Sequence, residues 1–129
     1  MMPLLKAIRR AVRCHAAALP VPYRTTARQP SFMSLTDRCC PDARPFPVGL
    51  DPFTCTRDEI ADFGKAAIAQ NIRYLGVCCG AGPHHIRALA EAVGRNPEAS
   101  RYSADMSRHA FFGTHERIQK VQRDYRAKL

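Results

Sequence analysis

The order helix, strand, loop, helix, strand, helix along this 129-residue chain predicts an α/β fold with parallel strands. Three observations carry that expectation. Apolar residues recur at helical spacing after Thr56 and after Pro83, a short apolar run precedes each of those segments, and the second run ends at a glycine-rich turn.

Leu4, Leu5, Ile8 and Val12 share one side of a helix over residues 3–14, with Arg9, Arg10 and Arg13 on the other side. Pro3 fits its first turn, where a backbone N–H has no partner to lose. Residues 16–23 are apolar but contain Pro20 and Pro22, which limits them to a short strand. Residues 24–55 hold Pro30, Pro41, Pro45, Pro47 and Pro52 with little periodicity and read as a loop. A loop of that length in a small domain belongs to an active-site rim or an interface.

Thr56 and Glu59 have the spacing of a capping box, and Ile60, Phe63, Ala67 and Ile68 form the apolar stripe of a helix running to about Gln70. Asp58 and Glu59 stand in its first turn, where carboxylates are favoured by the dipole, so neither is given a catalytic role. Ile72 to Val77 reads as a buried strand that turns at Gly80 and Gly82. Pro83 opens a helix with Ile86, Leu89, Ala90 and Val93 on one face, and Gly94 takes the C-terminal cap position. Residues 95–113 read as irregular, and 114–127 as a last helix through Ile118, Val121 and Tyr125. The expected division is therefore 1–94 as the α/β part and 95–129 as an extension.

The formal charge of +9 would suit a nucleic-acid partner if it were gathered on one surface. The basic residues are instead spread through every segment, with no run longer than Arg9-Arg10 and no finger spacing of Cys and His, so solvated basic faces are expected and nucleic acid is not. Apolar stretches break well short of the roughly 18 to 20 residues of a membrane span. Residues 1–36 carry Lys6, Arg9, Arg10, Arg13, Arg24 and Arg28 and no acid, the composition of a mitochondrial transit peptide, but they run straight into residues that read as core. The six cysteines include two adjacent pairs, Cys39-Cys40 and Cys78-Cys79, an awkward pattern for a disulfide framework. Reduced thiols and a cytoplasmic location are expected.

The segment Gly76-Val77-Cys78-Cys79-Gly80-Ala81-Gly82-Pro83-His84-His85-Ile86 carries the chemistry. It places two thiols at the C-terminal end of a strand, the edge where parallel α/β folds hold their sites. Adjacent cysteines on a regular strand point to opposite faces, but a break at Gly76 or Gly80 would let both sulfurs converge. Two readings follow from the residues: small buried apolar side chains, or thiolates for a metal such as zinc, which activates a substrate thiol at an open position. His84 and His85 begin a helix, where a positive imidazole is disfavoured, so neutral rings covering the strand end are expected rather than ligands.

At these residues the chain resembles the homocysteine S-methyltransferase family, whose G-x-C-C-G motif and following Pro-x-His-Ile helix start are matched by Gly76, Cys78, Cys79, Gly80, Pro83, His85 and Ile86. Pro45-Phe46-Pro47 and Leu50-Asp51-Pro52 resemble the family's approach to its penultimate helix, and the likeness covers most of residues 3–94. The resemblance implies the C-terminal portion of a (β/α)8 TIM barrel, incomplete in this sequence. It implies Zn2+ as cofactor, Cys78 and Cys79 as two of its three thiolates, and homocysteine and a methyl donor as substrates, giving methionine. The family's third zinc cysteine lies in a G-x-N-C motif before the helix that corresponds to residues 3–14, outside this sequence. Cys39-Cys40 are the local substitutes on the expected face, whereas Cys14 and Cys55 are expected at the opposite edge. Self-association, or association with the missing part of the barrel, is the expected behaviour of such a chain.

Overall fold

The computed structural model describes residues 2–36, 42–109, 113–117, 120, 121 and 124. Two compact units divide the chain, Met1–Pro97 and Glu98–Leu129.

In the first unit, helix α1 spans Met2–Ala11, strand β1 Ala17–Ala18, helix α2 Arg57–Ile68, strand β2 Tyr74–Leu75 and helix α3 Pro83–Ala92. The strands pair in parallel, Ala17 opposite Tyr74 and Ala18 opposite Leu75. The sheet thus has the expected direction, with two strands among the described residues. Both strands are shorter than the runs 16–23 and 72–77 suggested. At the C-terminal end the cause is Pro20, whose register position faces β2, where it accepts but has no N–H to return, and before β2 Ile72 N–H is taken by the Ala67 carbonyl at the end of α2.

α1 stops three residues short of the expected end. Arg9 closes it by donating Nη1 to the carbonyls of Val12 (3.0 Å) and Cys14 (2.9 Å). α2 begins at the expected capping box: the Thr56 hydroxyl accepts from the Glu59 N–H, and the Glu59 carboxylate accepts from the Thr56 N–H. α2 ends in a Schellman motif around Asn71 (φ 57°), with Ile72 N–H donating to the Ala67 carbonyl and Asn71 N–H to Ile68. α3 ends the same way at Gly94 (φ 81°), through Arg95 to Ala90 and Gly94 to Glu91.

The first Schellman motif places Ile72 against Ala67, and these join Leu5 and Ala18 as the buried core, with Met2, Ala16, Phe63 and Leu75 packed on it. α2 and α3 approach closely at Gly64, where a Cβ would stand 2.6 Å from Leu89 Cδ1. The predicted apolar stripe of α1 is only partly used: Leu5 is buried, while Leu4, Ile8 and Val12 remain exposed. The sheet is left partly bare too, with Leu19 51% and Tyr74 67% exposed.

Residues 24–55 lack α-helix and strand among the described positions and carry two short 3-10 turns, Phe32–Ser34 and Asp51–Phe53. An isolated antiparallel bridge joins Tyr23 to Thr54. In the second unit 3-10 turns span Glu98–Tyr102 and Met106–Arg108, where residues 95–113 read as irregular. The Asp105 side chain caps the second by accepting from Ser107 N–H (3.1 Å) and hydroxyl (2.6 Å), which lowers its pKa. Ile118 and Tyr125 of the expected last helix lie outside the described residues.

Candidate functional site

β2's ladder outlasts its regular strand. Gly76 N–H donates to the Ala18 carbonyl (3.0 Å) and Cys78 N–H to that of Pro20 (2.8 Å), so Gly76 stays in register and is not the break. The chain then reverses: Ala81 N–H donates to the Cys78 carbonyl (3.2 Å), with Gly80 at φ 88° in the third position of the turn. A Cβ at Gly80 would overlap the Tyr23 hydroxyl, so both backbone conformation and the close approach of Tyr23 require glycine there.

This turn ends the strand's alternation at the cysteines, and Cys78 Sγ lies 3.6 Å from Cys79 Sγ. Both residues are exposed in this chain. Two corners of a tetrahedral zinc site with bonds of about 2.3 Å are about 3.8 Å apart, so the sulfur spacing fits a shared soft cation. Among the described residues no group of three or more His, Cys, Asp or Glu stands together to hold a metal. Cys39 and Cys40, the expected local substitutes, lie outside the described residues.

His85 fastens the turn. It is 1% exposed; its Nδ1 accepts from Gly82 N–H (3.0 Å) and its Nε2 stands 2.9 Å from the Cys55 carbonyl, which needs a donor. Both ring nitrogens are thereby used, with the proton on Nε2 and the ring neutral, as expected for a residue covering the strand end. His84 lies against it, ring centroids 4.0 Å apart. Burial, followed by the nearby positive charges of Arg57 and Arg87, lowers the His84 pKa and favours the neutral form.

The structure corrects the placement of Cys55. It was expected at the opposite edge with Cys14, but Cys55 N–H donates to the Pro22 carbonyl (2.7 Å) and its own carbonyl meets His85, so it sits at the same sheet edge as the cysteine pair. The reason is connectivity: a helix that follows a strand starts at that strand's C-terminal end. Its thiol is pushed up by burial and then by Glu59, the opposite of an activated thiolate. Cys14 precedes β1 and remains at the far end of the sheet, exposed.

Beside Cys55 a groove of about 840 Å³ runs between α1, α2 and the long loop, lined by Leu4, Tyr23, Phe32, Ile60 and Phe63 among others. Tyr23 packs on Phe32 (5.5 Å between centroids) and Phe32 on Phe46 (5.7 Å). Arg24 Nε donates to both Glu59 oxygens at 2.9 and 3.0 Å, holding the start of the loop to α2 and lowering the Glu59 pKa. Neither Tyr23 nor Arg24 has a site role that the sequence signals; the bridge that aligns residues 23 and 54 joins positions thirty-odd residues apart and leaves no periodic signal.

The family model described as homocysteine S-methyltransferase matches residues 4–93. Betaine–homocysteine S-methyltransferase 1 of Pongo abelii is 32% identical over 104 residues, covering 80% of this chain and 23% of the relative. The protein of the same name from Danio rerio is 34% identical over 127 residues, covering 88% and 30%. S-methylmethionine–homocysteine S-methyltransferase of Rattus norvegicus is 36% identical over 73 residues, covering 57% and 20%. The chain spans between a fifth and a third of the length of these curated relatives.

Proposed function

The chain belongs to the homocysteine S-methyltransferase family, and from that premise we propose that it carries the thiol-activating end of such an enzyme, with Cys78 and Cys79 as two zinc thiolates. The observation that carries the reading is the 3.6 Å approach of the two sulfurs at the C-terminal end of a parallel strand. When bound, zinc supplies the Lewis acidity that lowers a homocysteine thiol's pKa so that its sulfur can take a methyl group from the donor, giving methionine.

This chain's residues orient and hold. Gly80 sets the turn that brings the sulfurs to one side, Tyr23 packs against that turn, and His85 ties the start of α3 to the approach of α2. The names of the relatives support homocysteine as acceptor; betaine and S-methylmethionine stand in those names as alternative donors. A (β/α)8 barrel is proposed for the complete fold, in which further strands cover Leu19 and Tyr74 and one of them brings a third cysteine. The partly bare sheet favours that completion.

The test joins this chain to a family-type N-terminal portion bearing the G-x-N-C segment. Zinc should approach one per barrel, and Cys78→Ser or Cys79→Ser should lower zinc retention and methionine formation together. Cys14→Ser should leave both intact, and the chain without its complement should form no methionine. Loss of zinc on replacing Cys39 and Cys40, with none on replacing Cys78 and Cys79, would overturn the assignment.

A further inference from the structure

We propose that Cys78 and Cys79 together are a capture site for trivalent arsenicals, a ligand class that two thiols satisfy without a third protein donor. Three features converge on it. The sulfurs stand 3.6 Å apart, both residues are exposed, and no third metal-binding side chain joins them among the described residues. Zinc in a protein site takes at least three protein ligands, whereas an organoarsenical R–As=O has one valence filled by carbon and two to be filled by sulfur. Two S–H bonds and the arsenic–oxygen bond break, two As–S bonds form, and both protons leave with the oxygen as water; arsenic remains trivalent.

The turn makes the pair more than two adjacent residues. The positive φ of Gly80, the contact of Tyr23 with that glycine, and the two hydrogen bonds of His85 hold the sulfurs on one side before any ligand arrives. Cys14 stands at the far sheet end, and Cys55 is half-buried with its thiol pushed up, so neither offers a second close pair. The site stands on sulfur geometry and does not require that the pair carries zinc.

Phenylarsine oxide and intact-protein mass spectrometry test it in the full chain carrying Cys39→Ser and Cys40→Ser, which leaves one adjacent pair. One phenylarsenic adduct is expected, resistant to excess glutathione and released by 2,3-dimercaptopropanol. Cys78→Ser and Cys79→Ser should each abolish the resistant adduct, and Cys14→Ser should retain it. Apparent affinity should fall by about tenfold or more in denaturant, where the turn is lost. A resistant adduct that persists in Cys78→Ser, an adduct stripped by glutathione in the starting protein, or equal affinity in folded and unfolded chains would each overturn the proposal. Failure of zinc binding in the completed barrel with arsenical capture intact would count against the zinc reading alone.

Discussion

Two segments leave the same edge of the same small sheet, and they are held in opposite ways. β2 exits through the turn Cys78–Ala81, fixed by one backbone hydrogen bond, the positive φ of Gly80 and the imidazole of His85. β1 exits into a loop of some thirty residues, held by the bidentate Arg24–Glu59 pair, the Tyr23–Phe32–Phe46 ring contacts and the bridge to Thr54. Short-range rules specify the first, and contacts between distant residues specify the second. The chemistry-bearing sulfurs sit on the short exit, where few torsions need fixing. The long exit contributes only props: Tyr23 under Gly80 and the Cys55 carbonyl on His85.

The largest break in that comparison is expected from Gly80→Val. A β-branched residue at positive φ, pressed on Tyr23, should lower stability by about 3 kcal/mol or more, read from the denaturant midpoint. Adding Tyr23→Ala should recover only the overlap; full recovery would mean that backbone strain there is negligible. His85→Ala comes next, at about 2 to 3 kcal/mol, because it leaves the Gly82 N–H and Cys55 carbonyl without their partner and opens a cavity. Faster alkylation of Cys78 and Cys79 should accompany it, since the turn loses its fastening.

The long exit should yield less. The Arg24 and Glu59 side chains are 44% and 45% exposed, so Arg24→Ala should cost under about 1 kcal/mol after solvent screening. Glu59's folded pKa is held below its unfolded value, chiefly by the Arg24 hydrogen bond. The pair's contribution is therefore present above the unfolded pKa and lost as pH falls through the folded one. Denaturation of wild type and Arg24→Ala should differ at neutral pH and converge in acid; a gap that persists in acid would contradict the ion-pair origin. Smallest is Asn71→Gly, which relieves a left-handed asparagine but loses its bond from Arg73 (2.9 Å) and loosens the unfolded chain. A gain of a few tenths of a kcal/mol in a melting experiment is expected, and a loss near 1 kcal/mol would show that the side-chain bond dominates.

How much could be read from sequence divides along the same line. Thr56 with Glu59, Pro83 and Gly94 mark their helix ends through bonds within five residues, and the structure has those ends. The glycine after Cys79 signalled the turn on which the sulfurs meet. Asn71 is a weaker sequence signal for a helix end than glycine, and its left-handed turn here also delivers Ile72 into the core, a tertiary gain that local sequence does not announce. Gly64 gave no sign of the close helix crossing, since nothing in its own segment announces Leu89. Strand lengths were overread because apolarity was visible while the ladder partner that Pro20 fails to serve was not. The edge at which Cys55 lies is set by β1, more than thirty residues before it, and not by the strand that follows, so its local sequence does not show it.

The neutral imidazole of His85 also makes the site observable from outside it. A ring whose proton is fixed on Nε2 by a carbonyl, with Nδ1 accepting an amide, should give two well-separated nitrogen resonances and a ring proton that exchanges slowly with solvent. Neither atom belongs to the sulfur pair, so nitrogen spectroscopy of this one side chain would report whether the turn beneath Cys78 and Cys79 is formed, in any state of ligation and with no reagent touching the thiols.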